Sequence, residues 1–478
     1  MSGNDFPNVV AIDLGAESCR ISLLRWTGDQ PHIELVHRFG NSPVAIGASL
    51  HWNLDHILSE LESGLLRCAE RCSAPIASIG VDGWAVDYVR MDTHNAALAL
   101  PYCYRDERTE NTFTEMQKRC SNTDLFLHSG VQPLRINTLY QLMADEEAGV
   151  SSSTPWANLP EYVLSRFGGR VVAEYTNATH TGLVDLRKHT WNETIFDLAG
   201  LNVTAAPKLV STGTDLGWLQ NQINHKKAFA QTRLIAVACH DTASAVAAIP
   251  MDGDDWAYIS SGTWSLLGMV LDNPIITPEA CAAGFTNLGA VGNRVCFHKN
   301  LNGMWLLKQT MLQLCSESDM WPTAELVAAA ELEDAPERLL EVDDPSLWLP
   351  GSMASRINEQ RRRAGAPTLE EHPSAMPQYA SLIFHSLASH YAQTLRDLEL
   401  LTKSQLKRLA IVGGGSLNQF LNRLTAKATG LEIFCGAPES STLGNFAIQL
   451  ATIEKQPNSS SRVAHWASIL NRSASLKF

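Results

Sequence analysis

The stretch "VVAIDLGAESCRISLLRW", Val9 to Trp26, predicts two buried strands joined by a short turn. The first strand carries a single acid, Asp13, among apolar residues. The turn "GAES" has only small or polar side chains, which leaves its backbone N–H groups accessible. The segment His32–Phe39 then alternates like a third strand. The turn is therefore suited either to ordinary hairpin geometry or to holding a phosphate.

The first half of the chain continues with a helix and two more strands. Leucines spaced along one face predict a helix over Leu54–Cys72 after the first hairpin, and "IASIGVDGWAVDYVRMD" follows as strand, turn and strand.

The second half of the chain repeats this plan. The segment "WAYISSGTWSLLGMV", Trp256–Val270, predicts another hairpin with a small polar turn. A strand over Arg294–Lys299, a helix over Leu301–Leu314 and a strand over Leu406–Val412 before "GGGS" complete the pattern. The sequence therefore predicts two α/β domains.

The predicted boundaries follow from composition and turn signals. We expect domains at 1–245 and 246–478, because the run of small residues ending at Pro250 separates the two patterns. Linker-like composition marks Ser151–Pro155 and Glu331–Glu371. The serine-rich tail beyond Pro457 is expected to be loosely held.

The net charge limits the classes of partner. With 37 Lys and Arg against 50 Asp and Glu, the net charge of −13 disfavours nucleic acid and anionic membranes as partners. It leaves room for an anionic small molecule, which backbone N–H groups can bind.

Location is predicted from what the sequence lacks. The sequence contains no run of about 18 apolar residues, so we expect no membrane span. The first ten residues do not resemble a signal peptide. The 10 cysteines show no zinc spacing, which favours free thiols and a cytoplasmic location.

The segment "ACHDTASAVAAIP", Ala238–Pro250, holds one carboxylate, Asp241, among small residues. Asp is a frequent helix cap, and "TASAVAAI" predicts a short helix. A lone carboxylate at a strand end also suits a catalytic base. The segment alone leaves both interpretations open.

Several segments together resemble a known family. They are "AIDLGAES-R", "IGVD-W-VDY", "YRDERT", "INTLYQL", "EYTNAT", "HDTASAVAAIP", "YISSGTWSLLG", "KN--G-WLL", "IVGGGS-N" and "STLGN-AIQL". They resemble the FGGY carbohydrate kinases of the actin-like ATPase superfamily, and within that family the rhamnulokinase-like group. The likeness runs from about Val9 to Ala451. It implies two duplicated actin-like (ribonuclease H-like) α/β domains facing a central cleft.

The resemblance also implies roles for single residues. Asp241 would be the general base that deprotonates the attacking sugar hydroxyl, and Asp13 would organise Mg²⁺, unless it only forms its turn. The residues expected to bind ATP are Ala16, Glu17, Ser18, Cys19, Arg20, Thr263, Lys308 and Gly414. The residues expected to bind substrate are Ala85, His240, Asp241, Thr242 and Asn300. His240 has the alternative of an ordinary buried histidine.

Some positions depart from the family pattern. Cys19 stands where glycine is usual, which leaves three alternatives. The residue could adopt a left-handed φ, or its thiol could lie beside the phosphates with a pKa lowered by Arg20. The third alternative is an inert thiol on the apolar side of the hairpin. Lys308 replaces a glutamine, although Gln309 is adjacent. In the segment expected to contact the sugar, Gly83 and Ala85 stand where the family has threonine and glycine, so we expect that a sugar hydrogen bond is lost with the threonine hydroxyl and that threonine at 83 would restore it. Leu288 replaces an acid, and Leu417 replaces a glutamine in the glycine loop.

The function expected from the resemblance is an ATP-dependent kinase for a ketose, with L-rhamnulose phosphorylated at O1. The partners are then ATP, Mg²⁺ and the ketose, and the protein is a monomer or a homodimer. L-Fuculose or a pentulose is an alternative substrate. A third hypothesis is a protein of this fold that binds nucleotide and sugar without turnover.

Overall fold

The computed structural model describes residues 6–456 and 459–474 of the 478-residue chain. The β-strands in this part of the chain are β1 (Asn8–Leu14), β2 (Ser18–Thr27), β3 (Gln30–Gly40), β4 (Val44–Ile46), β5 (Ser49–His51), β6 (Ile76–Gly83), β7 (Tyr88–Arg90), β8 (Trp156–Asn158), β9 (Ala173–Glu174), β10 (Val184–Asp185), β11 (Thr190–Trp191), β12 (Leu209–Val210), β13 (Thr214–Trp218), β14 (Arg233–Ala236), β15 (Trp256–Ser261), β16 (Trp264–Leu271), β17 (Phe285–Gly289), β18 (Val295–Asn302), β19 (Arg408–Val412) and β20 (Glu432–Cys435).

The α-helices of the described residues are α1 (Leu54–Arg71), α2 (Thr109–Arg119), α3 (Asn122–Ser129), α4 (Thr138–Glu147), α5 (Leu159–Arg166), α6 (Tyr175–Ala178), α7 (Glu193–Ala199), α8 (Asp241–Ala247), α9 (Pro278–Ala282), α10 (Trp305–Leu314), α11 (Thr323–Glu331), α12 (Met353–Arg363), α13 (Met376–Thr402), α14 (Gln419–Thr429), α15 (Ser440–Ile453) and α16 (Ser460–Ala474).

The chain divides into two compact units that are discontinuous in sequence. The first unit contains residues 1–252, 270–297 and 439–478, and the second contains 253–269 and 298–438. The last helices of the chain therefore belong to the same unit as the first strands. Each unit is described by itself below.

The sheet of the first unit has the strand order β13-β14-β6-β1-β2-β3. Strands β1, β2 and β3 form an antiparallel meander, and β6 and β14 continue the sheet parallel to β1. Helices α1 and α5 pack on this sheet, as does α15. The carboxyl ends of β1, β6 and β14 lie at one edge, where ligands bind in open α/β sheets.

The sheet of the second unit repeats this arrangement in the order β18-β16-β15-β19-β20. Strands β15 and β16 form the predicted hairpin, and β19 and β20 run parallel to β15. Helix α13 packs against α10, α11 and α14 in the same unit. The duplicated hairpin predicted from the sequence is therefore present, and the structure adds that the strands beside it run parallel.

Two segments predicted as irregular are partly helical. The supposed linker Glu331–Glu371 contains α12, which buries Met353 and Ile357 although its other face is rich in arginine. The serine-rich tail contains α16, whose Val463, Trp466 and Leu470 are buried. Residues 457, 458 and 475–478 of that tail lie outside the described residues. Composition alone did not reveal these apolar faces.

Three further findings bear on the expectations. All ten cysteines lie in the described ranges, and none of them forms a disulfide. No helix among residues 6–456 and 459–474 is both long and apolar enough to span a membrane. The helix predicted from Leu301 begins at Trp305, because Leu301 and Asn302 still belong to strand β18.

Candidate active site

Three carboxylates lie at the carboxyl ends of neighbouring parallel strands in the first unit. Asp13 near the end of β1 pairs in register with Asp82 near the end of β6. Gly83 bridges to His240, and its N–H donates to the Cys239 carbonyl at 3.0 Å. Asp241 is therefore delivered to the same edge by the segment that follows β14. The sequence predicted two of these acids and missed Asp82.

Asp13 is buried and held by two donors. Arg20 lies opposite Asp13 in the β1–β2 hairpin and donates from its guanidinium to Oδ2 at 3.0 Å. The Ser441 hydroxyl of α15 donates to the same oxygen at 2.7 Å. A carboxylate oxygen of Glu439 lies 3.4 Å from the same guanidinium nitrogen of Arg20. Burial raises the pKa of Asp13 above its usual value, and Arg20 and Ser441 oppose that rise.

Asp82 is fully buried and oriented by Asn445 of α15. The Asn445 amide donates to Oδ2 of Asp82 at 2.6 Å. The other oxygen, Oδ1, has no hydrogen-bond partner among the described residues. Burial, with Asp13 and Asp241 nearby, raises the pKa of Asp82 well above its usual value. A buried carboxylate with a free oxygen indicates a place for a cation or a proton.

Asp241 begins helix α8 and does not cap it. The cap position is His240, and no side chain makes a cap hydrogen bond there, so the cap interpretation was wrong. The Asp241 side chain keeps 37% of its surface exposed and accepts from the Thr242 hydroxyl at 3.2 Å. Removal of surrounding water raises the pKa of Asp241 to about 6. That value suits a group that must accept a proton near neutral pH.

His240 is buried beside Asp241 and neutral. Its Nε2 lies 3.3 Å from an Asp241 oxygen, and its ring lies 3.8 Å from the His180 ring, centroid to centroid. Burial lowers the pKa of His240 to about 3. The imidazole can therefore donate or accept a hydrogen bond without carrying charge.

A buried glutamate fixes the segment that carries these groups. One Glu174 oxygen accepts from the N–H of Cys239 at 3.0 Å and from the N–H of Thr176 at 3.0 Å. Its other oxygen accepts from the Thr212 hydroxyl at 2.6 Å. Glu174 therefore ties the approach to Asp241 to helix α6. The quoted motif "EYTNAT" contained this residue, but its role required the fold.

The segment after β6 is rigidly held. Asp87 is buried and accepts from the indoles of Trp52 at 2.6 Å and Trp84 at 2.8 Å. Val86 adopts a left-handed φ of 71°, which is strained for a β-branched residue. Such strain persists only where neighbours over-determine the backbone. Ala85, the predicted sugar contact, is buried between these anchors.

Gly83 is a packing position. A Cβ built there would lie 2.7 Å from the Leu14 Cβ and 3.0 Å from the Leu14 carbonyl oxygen. The threonine that is usual in the family would therefore collide with strand β1. The expectation that a threonine at 83 would restore a sugar contact does not hold for this backbone.

The first turn is closely braced. A Cβ on Gly15 would lie 2.3 Å from the Ser18 carbonyl oxygen, and the Asn41 amide donates to the Gly15 carbonyl at 3.0 Å. The side chains of Glu17 and Ser18 reach the surface, and Ala16 is half-buried. The turn can thus present backbone N–H groups to a phosphate without large rearrangement.

Cys19 does not take part through its thiol. The side chain is fully buried in the apolar core, and its φ is not left-handed. Burial raises the pKa of Cys19 to about 12 and outweighs the lowering by Arg20, so the expected net lowering of the pKa was wrong. The thiol points into the apolar side of the hairpin, which was the third of the alternatives.

In the second unit, the turn between β15 and β16 carries Thr263, which is half-buried. The N–H of Met304 donates to the Gly262 carbonyl at 3.1 Å, and the N–H of Trp305 donates to the Thr263 carbonyl at 2.9 Å. Gly303 permits this approach, because a Cβ there would lie 2.9 Å from both carbonyl oxygens. The start of α10 therefore supports the turn from behind.

The glycine loop after β19 lies against the same hairpin. Gly413 has a φ of 80°, and a Cβ there would lie 2.8 Å from the Ser261 carbonyl oxygen. A Cβ on Gly415 would lie 1.9 Å from the Ser261 hydroxyl. Gly414 is exposed with open space around it. Of the three glycines, Gly414 is the one whose backbone is open to a ligand.

The remaining predicted residues also lie in the second unit. Asn300 is exposed on β18, and Lys308 is half-buried on α10. Gln309 turns inward, where its side-chain oxygen accepts from the Gly351 N–H at 3.0 Å. Gln309 therefore has a structural role and does not replace the glutamine that Lys308 displaces.

The carboxylates of the first unit can hold Mg²⁺ only if phosphate oxygens and waters supply its remaining ligands. The described residues contain no group of three or more His, Cys, Asp or Glu that could hold a metal ion. Mg²⁺ usually takes one or two carboxylates together with phosphate oxygens and waters. Asp13 and the free oxygen of Asp82 match that requirement for a metal that arrives with ATP.

The polar residues of α15 were missed by sequence reasoning. Ser441 and Asn445 lie in the quoted motif "STLGN-AIQL", four positions apart on one helical face. Their partners Asp13 and Asp82 lie hundreds of residues earlier in the chain. The signal was a polar stripe on an otherwise apolar helix.

Comparisons with known proteins give family and fold. Residues 8–248 match the N-terminal domain of the FGGY family of carbohydrate kinases, and residues 257–453 match its C-terminal domain. A gluconate kinase from Lactobacillus acidophilus is 15% identical with a TM-score of 0.77, covering 96% of this chain and 92% of that one.

Two further solved structures are similar. A ligand-bound xylulose kinase from Lactobacillus acidophilus is 14% identical with a TM-score of 0.73, covering 98% of both chains. A Plasmodium falciparum glycerol kinase with ADP is 14% identical with a TM-score of 0.73, covering 97% of this chain and 92% of that one. These likenesses confirm the predicted two-domain α/β fold.

Proposed function

Because the chain belongs to the FGGY family of carbohydrate kinases, we propose that it transfers the γ-phosphoryl group of ATP to a hydroxyl of L-rhamnulose, giving L-rhamnulose 1-phosphate. The observation that carries the chemistry is the Asp241 carboxylate, partly exposed at a strand end and carrying a pKa of about 6. The choice of sugar rests on the rhamnulokinase-like motifs alone.

In this proposal, Asp241 accepts the proton of the O1 hydroxyl as that oxygen attacks the γ-phosphorus of ATP, and ADP leaves as the bond from that phosphorus to the β,γ-bridging oxygen breaks. Phosphoryl transfer needs positioning and charge neutralisation more than covalent chemistry from the protein. Neutral His240 and Thr242 hydrogen-bond sugar hydroxyls beside the base. The anchored Ala85 backbone and Asn300 contribute further sugar contacts.

The nucleotide contacts in this proposal come from backbone turns. Residues 16–20 and Thr263 bind the phosphates, Gly414 approaches the nucleoside, and Lys308 offers a cation. Mg²⁺, when bound, neutralises phosphate charge, and Asp13 and Asp82 would hold it, directly or through water. Arg20 keeps Asp13 oriented at 3.0 Å.

A coupled assay of ATP consumption over a sugar panel tests the proposal. The panel contains L-rhamnulose, L-fuculose, D-xylulose, L-ribulose, glycerol and gluconate, and phosphorylated products are identified by mass spectrometry. We expect the highest kcat/KM with L-rhamnulose. A higher value for another sugar would reassign the substrate, and binding of sugar and ATP without turnover would favour a non-catalytic sensor.

A further inference from the structure

Helix α15 carries a row of polar side chains that point into the sheet of the first unit. Ser441, Asn445 and Gln449 are spaced by four residues and therefore lie on one helical face. The rest of the helix is largely apolar and buried, including Leu443, Phe446 and Ile448. A polar row inside an apolar interface is costly unless every group finds a partner.

The row forms a directed chain of hydrogen bonds. The Ser78 hydroxyl donates to the side-chain oxygen Oε1 of Gln449 at 2.6 Å, and the side-chain amide of Gln449 donates to Oδ1 of Asn445 at 2.6 Å. The Asn445 amide in turn donates to Asp82 at 2.6 Å. The amide orientations are therefore mutually fixed, and the chain ends with a donor on the carboxylate.

Close packing leaves the amides no freedom to move. A Cβ on Gly80 of strand β6 would lie 2.5 Å from the Asn445 side-chain oxygen. A Cβ on Gly444 would lie 1.7 Å from the Ser244 carbonyl oxygen of α8. Helix α15 thus lies directly against β6 and against the helix that begins with Asp241.

We propose that α15 positions the acidic edge of the site, with Ser441 orienting Asp13 and Asn445 orienting Asp82 toward the metal of a metal–nucleotide complex. This inference rests on the proposed function. Ser441 and Asn445 are positioning residues, since each acts through a carboxylate. Hydrogen bonds to carboxylates that ligate metals commonly control metal affinity.

Metal binding without turnover provides the first test. Free Mn²⁺ is measured by electron paramagnetic resonance while Mn²⁺ is titrated into the full-length protein with β,γ-imido-ATP. We expect Ser441→Ala to weaken Mn²⁺ binding by about 10-fold, the scale seen when a group that orients a ligand is lost. Ser441→Thr keeps the hydroxyl and should restore the affinity.

A control on the same helix separates positioning from packing. The Thr452 hydroxyl donates to the Ile448 carbonyl at 2.8 Å within α15, so Thr452→Ala removes a hydroxyl that touches neither carboxylate. It should bind Mn²⁺ like the wild type. Asn445→Ala should weaken Mn²⁺ binding too, and if it does not fold, the Ser441 variants still decide the question.

Kinetics provide the second test. In Ser441→Ala, the half-saturating Mg²⁺ concentration should rise while KM for the sugar stays near its wild-type value. Unchanged Mn²⁺ affinity and Mg²⁺ dependence in Ser441→Ala would overturn the inference. If the wild type phosphorylates no sugar but the Ser441 variants still differ in Mn²⁺ affinity, the proposed function fails and the positioning role stands.

Discussion

The two units use the same hairpin and the same parallel neighbour, but their strand ends carry different chemistry. In the first unit, Asp13 pairs with Asp82 across β1 and β6. At the corresponding place in the second unit, Ser260 pairs with Val412 across β15 and β19. One edge therefore offers carboxylates, and the other offers hydroxyls and glycines. The fold is shared, and the residues at the strand ends decide what each copy can bind.

The difference follows from what the two edges are proposed to bind. Carboxylates suit a cation and a hydroxyl that must lose its proton, and a cation must stand between them and phosphate oxygens, which they would otherwise repel. A turn of small residues exposes N–H groups to phosphates. The tight approach of Gly413 and Gly415 to Ser261 shows that the second edge is built for close backbone packing.

The largest expected effect comes from removing the base. Asp241→Asn should fold normally and lower kcat by about 10²- to 10⁴-fold, because the sugar hydroxyl loses its proton acceptor. Turnover and thermal unfolding are measured for both proteins. Asp272→Asn, on a side chain 77% exposed in the same unit, serves as the control and should keep wild-type turnover. Wild-type turnover in Asp241→Asn would remove Asp241 as the base.

The pH profile offers a second test of the acidic edge. Asp241 accepts a proton only when it is deprotonated, and its pKa is raised to about 6. The value of kcat/KM for the sugar should therefore fall as pH drops through about 6 and level off above it. The imidazole of His240 does not contribute, because its pKa is lowered to about 3.

The residual activity of Asp241→Asn supplies the control for this profile. Its kcat/KM should not fall as pH drops through about 6, since the group that titrates is gone. If kcat/KM of that variant still falls in the same range, the titration belongs to another group. A wild-type profile that is flat between pH 5 and 8 would contradict a base of raised pKa.

A third comparison separates ligand approach from packing within the glycine loop. Gly414→Ala adds a methyl group into open space, so it should raise KM for ATP by several-fold and leave the unfolding temperature unchanged. Gly415→Ala meets the Ser261 hydroxyl at 1.9 Å and should lower the unfolding temperature. Kinetics and thermal unfolding of both variants check this. A Gly414→Ala variant with wild-type KM for ATP would exclude a nucleotide contact there.

The sequence predicted the parts of this molecule that depend on local pattern. The two hairpins alternate visibly, and the leucine stripe placed the first helix at Leu54–Cys72 where the structure has Leu54–Arg71. Asp13 and Asp241 stood out as single acids in apolar surroundings. These signals are contained within short windows, where periodicity and turn chemistry act directly.

The parts that the sequence did not predict depend on distant contacts. Ser441 and Asp13 are 428 residues apart, and one sequence gives no sign that they meet. Gly83 was read as a lost sugar contact, because its closeness to Leu14 exists only once β1 and β6 are paired. Tertiary packing decides the role of such residues.

The smallest expected effect concerns Cys19, the position at which the first hairpin departs from its family. The side chain fills the apolar core and its Sγ lies 3.7 Å from the Gly15 carbonyl oxygen. Cys19→Gly should therefore lower the free energy of unfolding by about 1–3 kcal/mol, as a buried side chain is lost and the strand becomes more flexible. KM for ATP should not change. Thermal unfolding and ATP kinetics of the variant measure both.

Alkylation gives an independent measure of the same position. Cys19 is buried with a pKa of about 12, so iodoacetamide followed by mass spectrometry should label it slowly, at a rate that Mg-ATP does not alter. Cys435 is exposed and should label quickly in the same sample. Two results would contradict this expectation: labelling of Cys19 that slows with Mg-ATP, and a lower KM for ATP in Cys19→Gly. Together they would show that the thiol lies beside the bound phosphates. Our expectation is that the turn binds phosphate through its backbone and that Cys19 only supports the strand behind it.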